Sequence, residues 1–268
     1  MPAIPAEIRA YLDDIVGVFT RSLGPDLTGV WLIGSAAQGV YEHGVSDVDV
    51  MVISATRHPR EEREAVAGRI VHPALECPTV GLECVWYAVP DLVDMASPVV
   101  FQANVNGGQV RAPMIALEPD DQPQWWAVLD LAAARQVGIP LLGPPAAQVI
   151  PPIPGPRLRR AIEESHAFHD GPDEGSPNRV LNLARLIVLV EDGEWVSKPV
   201  GAQRLAQAEP EFAAALDAAL RARAEGHWID PTLAAGLSRR LADALNASDE
   251  YASDAFARNA FARDESRR

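Results

Sequence analysis

Two aspartates stand inside a run that otherwise has the composition of a buried β-strand. The run is DVDVMVIS, from Asp47 to Ser54, and its second acid is Asp49. Aspartate is depleted in strands, and a buried charge is costly unless it is paired or bound to a metal. Residues i and i+2 of a strand project from the same face, so the two carboxylates are expected to point together. Two hard oxygen ligands at this spacing predict a Mg²⁺ site that also engages substrate phosphates; the alternative is a pair of acids at the exposed start of a strand.

A glycine–serine turn ends the preceding apolar run, VWLI, upstream of the two acids. Gly34 has no Cβ, so the backbone can approach a phosphate closely there, and backbone N–H groups can then donate to its oxygens. Ser35 follows this glycine, and Ser46, directly before Asp47, can add a hydroxyl. We therefore expect a phosphate site formed by Gly34, Ser35 and Ser46.

A third acid, Glu83, lies inside the apolar strand pattern GLECVWYAV. In a strand adjacent to Asp47 and Asp49 its carboxylate would join theirs, and nearby metal cations would hold it ionised, as a general base requires. Such a base would accept the proton of a substrate hydroxyl that attacks phosphorus. The alternative is an outward-facing glutamate on an edge strand.

The bulk properties of the chain argue against several classes of protein. The formal net charge is −14, so nucleic acid, which needs many Lys and Arg contacts, is a poor partner, whereas a cationic small molecule is favoured. No apolar run approaches the ~18 residues that span a bilayer, and acids occupy the N-terminus where a signal peptide would be basic. The two cysteines, Cys77 and Cys84, fit reduced thiols. We expect a cytoplasmic monomer without membrane or nucleic-acid partners.

Composition changes part-way along the chain and predicts two domains. Residues 1–152 mix strand and helix patterns, which predicts an α+β domain with a mixed β-sheet. The Pro-rich segment Gly143–Pro156 is expected to be an extended connector. Residues 153–268 carry almost only helical periodicity, which predicts an all-α helical bundle.

The spacing of apolar residues, with glycine and proline as breaks, places the individual elements. In the first domain the predicted elements are helix Pro5–Leu23, strands VWLIG, DVDVMVIS and GLECVWYAV, and helices REEREAVAGRIV and QWWAVLDLAAARQVG. In the second domain the predicted helices are Arg157–Phe168, Pro177–Asp192, Lys198–Ala208, Pro210–Glu225 and Pro231–Arg263.

The spacing Gly34-Ser35-x₁₀-Ser46-Asp47-x-Asp49 resembles the signature of the nucleotidyltransferase (polymerase β-like) superfamily. The downstream chain resembles one family within it, the aminoglycoside (3″)(9) adenylyltransferases, which are streptomycin and spectinomycin resistance enzymes. This narrower resemblance is carried by LAAARQVGIPLLGPPAAQVIPPIP and by NRVLNLARLIVLVEDGEWVSKPVGAQRL. It implies that residues 1–152 form a nucleotidyltransferase domain and that the helical domain contributes to ATP and acceptor binding.

The resemblance also implies a reaction, in which AMP moves from ATP to a hydroxyl of an antibiotic and pyrophosphate is released. Asp47, Asp49 and Glu83 match the Mg²⁺-binding carboxylates of the family, and Glu83 also matches its catalytic base. The residues that are expected to bind ATP, from the loop and from the helical domain, are Gly34, Ser35, Ser46, Arg185 and Lys198.

The acceptor side departs from the family pattern. Members that modify streptomycin carry a tryptophan after the third strand, where this chain has Asn106, and a tryptophan with acids between the first two bundle helices, where it has HAFHDGPDEGSPN. Asp173 and Glu174 are candidates to replace those acids, because a carboxylate pairs with a cationic sugar; a solvated loop is the alternative. We therefore expect a small, hydroxylated, cationic acceptor, with spectinomycin favoured over streptomycin.

Other functions of the same fold stay open at this point. The acceptor is alternatively a natural-product intermediate or a protein hydroxyl, and a nucleotide-binding module that has lost its chemistry is a further alternative. Retention of all three acids argues against the last of these, because a protein that only binds nucleotide needs no base.

Overall fold

The computed structural model describes residues 3–93, 98–118, 123–169 and 174–248. The chain divides into two compact units, Met1–Pro152 and Ile153–Arg268. The acceptor candidate Asp173 lies outside the described residues, as does the end of the last predicted helix. None of the described helices is long and apolar enough to cross a membrane.

The first unit contains a β-sheet with accompanying helices. Its described strands are β1 (Leu27–Leu32), β2 (Val48–Ser54), β3 (Leu82–Ala88), β4 (Ala103–Gly107), β5 (Met114–Ala116) and β6 (Ile139–Leu142). Its described helices are α1 (Ala6–Leu23), α2 (Gly34–Ala37), α3 (Arg60–Ile70), α4 (Val89–Leu92) and α5 (Gln124–Val137), with 3₁₀ turns at Gly24–Asp26 and Ala146–Gln148.

The strands form one six-stranded sheet in the order β5-β4-β3-β2-β1-β6. β2 and β3 are parallel, and every other adjacent pair is antiparallel. A parallel pair needs a crossover connection, and α3 lies in the segment that supplies it. The predicted α+β fold with a mixed sheet is confirmed.

One face of the sheet packs into a core with α1 and α3. Val48, Val50 and Val52 of β2 belong to this core together with Phe19 of α1, and each of the three valines is at most 1% exposed. Burying such a side chain contributes roughly 1.5–3 kcal/mol. A register slip of one residue would turn these valines out of the core and put Asp49 into it. Burial of the valines therefore fixes the register of β2 and the direction in which Asp49 points.

Strands β4, β5 and β6 are not predicted by the sequence pattern. β4 contains Asn104, Asn106 and Gly107, residue types that are depleted in strands, and β5 is only three residues long. β6 contains Pro140, which the sheet tolerates because β6 is an edge strand. The Pro-rich segment Gly143–Pro156 is not extended throughout, because a 3₁₀ turn interrupts it.

In the described part of the second unit the regular elements are helices. They are α6 (Gly155–His169), α7 (Pro177–Asp192), α8 (Lys198–Ala208), α9 (Ala213–Glu225) and α10 (Ala235–Ala247), with 3₁₀ turns at Pro210–Phe212 and Pro231–Ala234. The predicted bounds of α7 and α8 are confirmed. Ser176 caps α7 by accepting from the N–H of Asn178, and Gly193 ends that helix with a φ of +68°. The predicted helices Pro210–Glu225 and Pro231–Arg263 differ from the structure, in which a 3₁₀ turn occupies the start of each of these ranges.

Candidate active site

The carboxylates of Asp47, Asp49 and Glu83 come together at the start of β2 and β3. One oxygen from each lies within 4.8 Å of the others, and all three residues are half-buried. Asp49 pairs directly with Glu83 in the parallel register, and Asp47 immediately precedes β2. Oxygen ligands grouped in this way suit a hard divalent cation such as Mg²⁺.

Gly34 lies directly against Asp49. Its φ is +65°, and a Cβ added there would lie 1.8 Å from Oδ2 of Asp49. The backbone N–H of Ile33 donates to the carbonyl of Asp49 (2.9 Å), which holds the turn beside the strand. Packing and backbone conformation therefore both require glycine at this position, a reason separate from the phosphate contact that the sequence predicts.

The two serines of the predicted phosphate site have different surroundings. The hydroxyl oxygen of Ser35 is shielded from solvent and has no hydrogen-bond partner among the described residues. Ser46 is 2% exposed, and its hydroxyl accepts from the backbone N–H of Glu42 (3.1 Å). Ser46 therefore stabilises the loop before β2, whereas Ser35 presents a buried hydroxyl that a ligand oxygen would satisfy.

Arg111, in the loop between β4 and β5, is a residue of the site that the sequence analysis missed. Its guanidinium donates to Oδ2 of Asp47 (2.7 Å), to Oε1 of Glu83 and to Oδ1 of Asn106 (3.3 Å). Burial lowers the pKa of Arg111, but the negative charges of Glu83, Asp47 and Asp49 outweigh it and hold the pKa above its ordinary value. No signal in the sequence marked Arg111, because its place depends on strands β4 and β5, which were not predicted.

Asn106, a predicted acceptor residue, lies on β4 directly opposite Glu83. Its side-chain amide donates to Oδ1 of Asn104 (3.0 Å), and its own Oδ1 accepts from Arg111. The structure thus brings Asn106 to the carboxylates, where it helps to orient the guanidinium.

In the second unit, Arg185 and Lys198 are both held by asparagines of α7. The ammonium of Lys198, the first residue of α8, donates to Oδ1 of Asn178 (2.9 Å). The guanidinium of Arg185 donates to Oδ1 of Asn182 (3.0 Å), and its carbon lies 4.6 Å from the centroid of the Trp195 ring. Asn178, Asn182 and Arg185 are spaced i, i+4 and i+7, which places them along one face of the helix. The two asparagines are further residues that the sequence analysis did not single out.

The second acceptor candidate that the structure describes, Glu174, is exposed shortly before α7. Its neighbour Gly175 accepts at its carbonyl from the N–H of Ile229 (2.9 Å). A Cβ added at Gly175 would lie 2.6 Å from Cε3 of Trp228, a residue that is 65% exposed. Trp228, from the segment between α9 and α10, therefore lies against the connection between α6 and α7, which has no tryptophan of its own.

Comparisons with known proteins show what the chain is similar to. Residues 148–248 match the family model described as aminoglycoside adenylyltransferase, C-terminal domain, and residues 18–76 match that of the nucleotidyltransferase domain. A spectinomycin 9-adenylyltransferase of Staphylococcus aureus is 30% identical over 194 residues, which cover 67% of this chain and 71% of that protein. The chain belongs to the aminoglycoside adenylyltransferase family. It is therefore a nucleotidyltransferase, as the sequence motifs predicted.

Two further matches within the aminoglycoside adenylyltransferase family cover larger shares of the chain. An aminoglycoside (3'')(9) adenylyltransferase of Shigella flexneri is 28% identical over 209 residues, 75% of this chain and 79% of that protein. The crystal structure of spectinomycin adenyltransferase AAD(9) from Enterococcus faecialis with ATP and spectinomycin superimposes with a TM-score of 0.63 at 18% identity, covering 87% of this chain and 98% of that one. This structural match establishes the fold.

Proposed function

We propose that this enzyme transfers AMP from ATP to a hydroxyl of an aminocyclitol or aminoglycoside antibiotic, and that spectinomycin is favoured over streptomycin. The observation that carries the proposal is the grouping of Asp47, Asp49 and Glu83 within 4.8 Å. Similarity to an enzyme named for spectinomycin, and to a structure that contains ATP and spectinomycin, supports the choice of substrates.

The three carboxylates fit Mg²⁺, which takes oxygen ligands and is commonly held by one or two carboxylates together with substrate phosphates. Asp47 and Asp49 would be its main protein ligands, with Glu83 beside them. When bound, Mg²⁺ would neutralise charge on the triphosphate and polarise its oxygens. The remaining roles fall to groups of the protein itself.

Glu83 would act as the general base. Its carboxylate would accept the proton of the acceptor hydroxyl while that oxygen forms a bond to the α-phosphorus. The bond from the α-phosphorus to the bridging oxygen breaks, and pyrophosphate leaves with the electron pair. AMP then remains on the acceptor. Because no protein nucleophile takes part, catalysis would come from positioning, charge neutralisation and proton transfer.

The residues proposed to bind the triphosphate are Gly34, Ser35, Ser46, Arg185 and Lys198. The support for Ser35 is its buried hydroxyl, which has no partner in the described part of the chain. Arg185 and Lys198 supply positive charge that asparagines of α7 already orient, and a phosphate oxygen is a strong acceptor for both groups.

The acceptor would be recognised by an amide, by acids and by an aromatic ring. Asn106 and Glu174 are the described candidates, and Asp173 is proposed from the sequence alone. We add Trp228, because an exposed indole next to a segment that carries a carboxylate attracts a cationic ligand. The net charge of −14 favours a ligand of the opposite, positive sign.

A mass-spectrometric assay tests the proposed reaction and acceptor together. Enzyme is incubated with ATP and Mg²⁺ and with spectinomycin, streptomycin or another aminocyclitol, one at a time. We expect spectinomycin to gain the mass of one AMP, and the Asp47→Asn variant to produce none of this product. Addition of AMP to a protein instead, or no product with any compound while ATP still binds, would contradict the proposed acceptor.

A further inference from the structure

Arg111 places a positive charge among the carboxylates of the proposed metal site. It donates to Asp47 (2.7 Å) and to Glu83, and the charge of Asp49 also acts on it. Asp47 is a proposed metal ligand, and Glu83 is the proposed base that accepts the proton of the acceptor hydroxyl. Since like charges repel strongly at such short range, the guanidinium and a metal ion compete for the same oxygens.

The backbone that carries Arg111 is anchored to the segment before β3. The N–H groups of Val110 and Arg111 both donate to the carbonyl of Val80, at 3.0 and 3.1 Å, and the N–H of Gln109 donates to the carbonyl of Thr79 (3.2 Å). These hydrogen bonds fix the backbone position from which the Arg111 side chain extends. Arg111 therefore differs from a surface arginine that samples many directions.

Two glycines make room for this arrangement. A Cβ added at Gly81 would lie 3.0 Å from Cβ and 3.2 Å from Nε of Arg111, and a Cβ added at Gly108 would lie 2.4 Å from Cα of Gly81. These close approaches let the arginine side chain lie against the start of β3, beside Glu83. Packing of the aliphatic part of Arg111 and the charge of its guanidinium therefore act together to hold the side chain beside Glu83.

We propose that Arg111 is a positioning residue, which orients and neutralises Asp47 and Glu83 before nucleotide binds and is displaced by the metal–nucleotide complex. This inference rests on the proposed function, because it assigns the metal to the same carboxylates. The triphosphate brings additional oxygen ligands for the metal and an alternative partner for the displaced guanidinium. Arg111 thereby makes tight metal binding depend on nucleotide.

Titration with Mn²⁺ in the absence of nucleotide, followed by electron paramagnetic resonance, tests the competition. Folded Arg111→Ala is expected to bind Mn²⁺ on the order of tenfold more tightly than the wild type. Arg111→Lys keeps a charge without the two-pronged geometry, so its affinity should fall between the two. Arg60→Ala is the matched control, because Arg60 pairs with Glu64 and Glu118 outside the cluster. Asp47→Asn should lose most of the binding.

The possible outcomes separate this inference from the proposed function. Unchanged or weaker Mn²⁺ binding by folded Arg111→Ala, with binding still lost in Asp47→Asn, would overturn the role of Arg111 and leave the metal site standing. No Mn²⁺ binding by any variant would overturn both. A non-hydrolysable ATP analogue gives a second readout: it should improve the Mn²⁺ affinity of the wild type more than that of Arg111→Ala.

Discussion

Position 34 shows how little room surrounds the carboxylates at the scale of a single residue. The φ of Gly34 is +65°, and a Cβ at this position would lie 1.8 Å from Oδ2 of Asp49. When the side chain grows by one methyl group, the turn or the carboxylate must move. Displacements of about 1 Å at a catalytic centre are enough to lower rates about a hundredfold.

We therefore expect Gly34→Ala to lower kcat/KM for adenylyl transfer by about a hundredfold or more, and to cost roughly 1–3 kcal/mol of stability through backbone strain. Steady-state kinetics and urea unfolding measure the two effects. Gly44→Ala is a matched control, because Gly44 also has a positive φ, of +79°, but its added Cβ would meet nothing within 4 Å. Equal losses of activity in both variants would contradict a specific role for the contact with Asp49.

At the scale of secondary-structure elements, the sequence predicts those whose pattern is local. The alternation along β2 predicts that Asp49 and the preceding Asp47 share a face, and the acid inside the apolar run of β3 marks Glu83 as a candidate; the structure brings the three carboxylates together. The bounds of α7 and α8 followed from apolar spacing and from glycine and proline breaks, and the structure adds a capping serine at the start of each helix.

The contacts that the sequence analysis missed are those that join distant parts of the chain. Arg111 reaches the acids only because β4 and β5 pair beside β3, and these strands have weak propensity or are very short. Trp228 lies against Gly175 although a long stretch of sequence separates them. Neither contact leaves a spacing or composition signal, since it depends on which elements pack together.

Trp228 belongs to a connection between helices, and its removal tests the proposed acceptor surface. We expect Trp228→Ala to raise the KM for the acceptor about tenfold, because a cation–aromatic contact of about 1 kcal/mol or more is lost, and to leave the KM for ATP unchanged. Trp228→Phe, which keeps an aromatic ring, should recover most of the affinity. Equal increases in both KM values would indicate a structural role for Trp228 and contradict the proposal.

Asp26 joins the start of β1 to the segment that leads into α3. It accepts from the N–H and the hydroxyl of Thr56 and is hydrogen-bonded to His58 (2.7 Å). Partial burial raises the pKa of Asp26, but these hydrogen bonds more than offset burial and hold the pKa below its ordinary value. A lowered carboxyl pKa stabilises the fold above the unfolded-state pKa of about 4, and this contribution is lost as the pH falls through the folded-state value.

Asp26→Asn is accordingly expected to unfold at a lower urea concentration than the wild type at pH 5, and the difference should shrink toward pH 3. The difference should shrink because the carboxyl group of Asp26 takes up a proton and its stabilising hydrogen bonds to Thr56 and His58 weaken. A difference in stability that is the same at both pH values would contradict this assignment.

At the scale of the whole molecule, the net charge of −14 acts on any charged ligand that approaches. Salt screens this field, since the Debye length is about 10 Å at 0.1 M ionic strength. We expect the KM for a cationic acceptor to rise several-fold between about 0.05 and 0.5 M NaCl, with little change in kcat. Glu174→Gln should show a shallower dependence if Glu174 contributes to the attraction. An acceptor KM that does not respond to salt would contradict an electrostatic contribution to binding.

The central claim is that Asp47, Asp49 and Glu83 form the catalytic centre, with Glu83 as the base. Its most direct test is the rate of pyrophosphate release with ATP, Mg²⁺ and spectinomycin in the wild type, Glu83→Gln and Arg60→Ala. Removal of a general base costs about 10²- to 10⁴-fold, so Glu83→Gln should fold normally and lose activity in that range while Arg60→Ala keeps the wild-type rate. A folded Glu83→Gln variant that releases pyrophosphate within a few-fold of the wild-type rate would contradict the account.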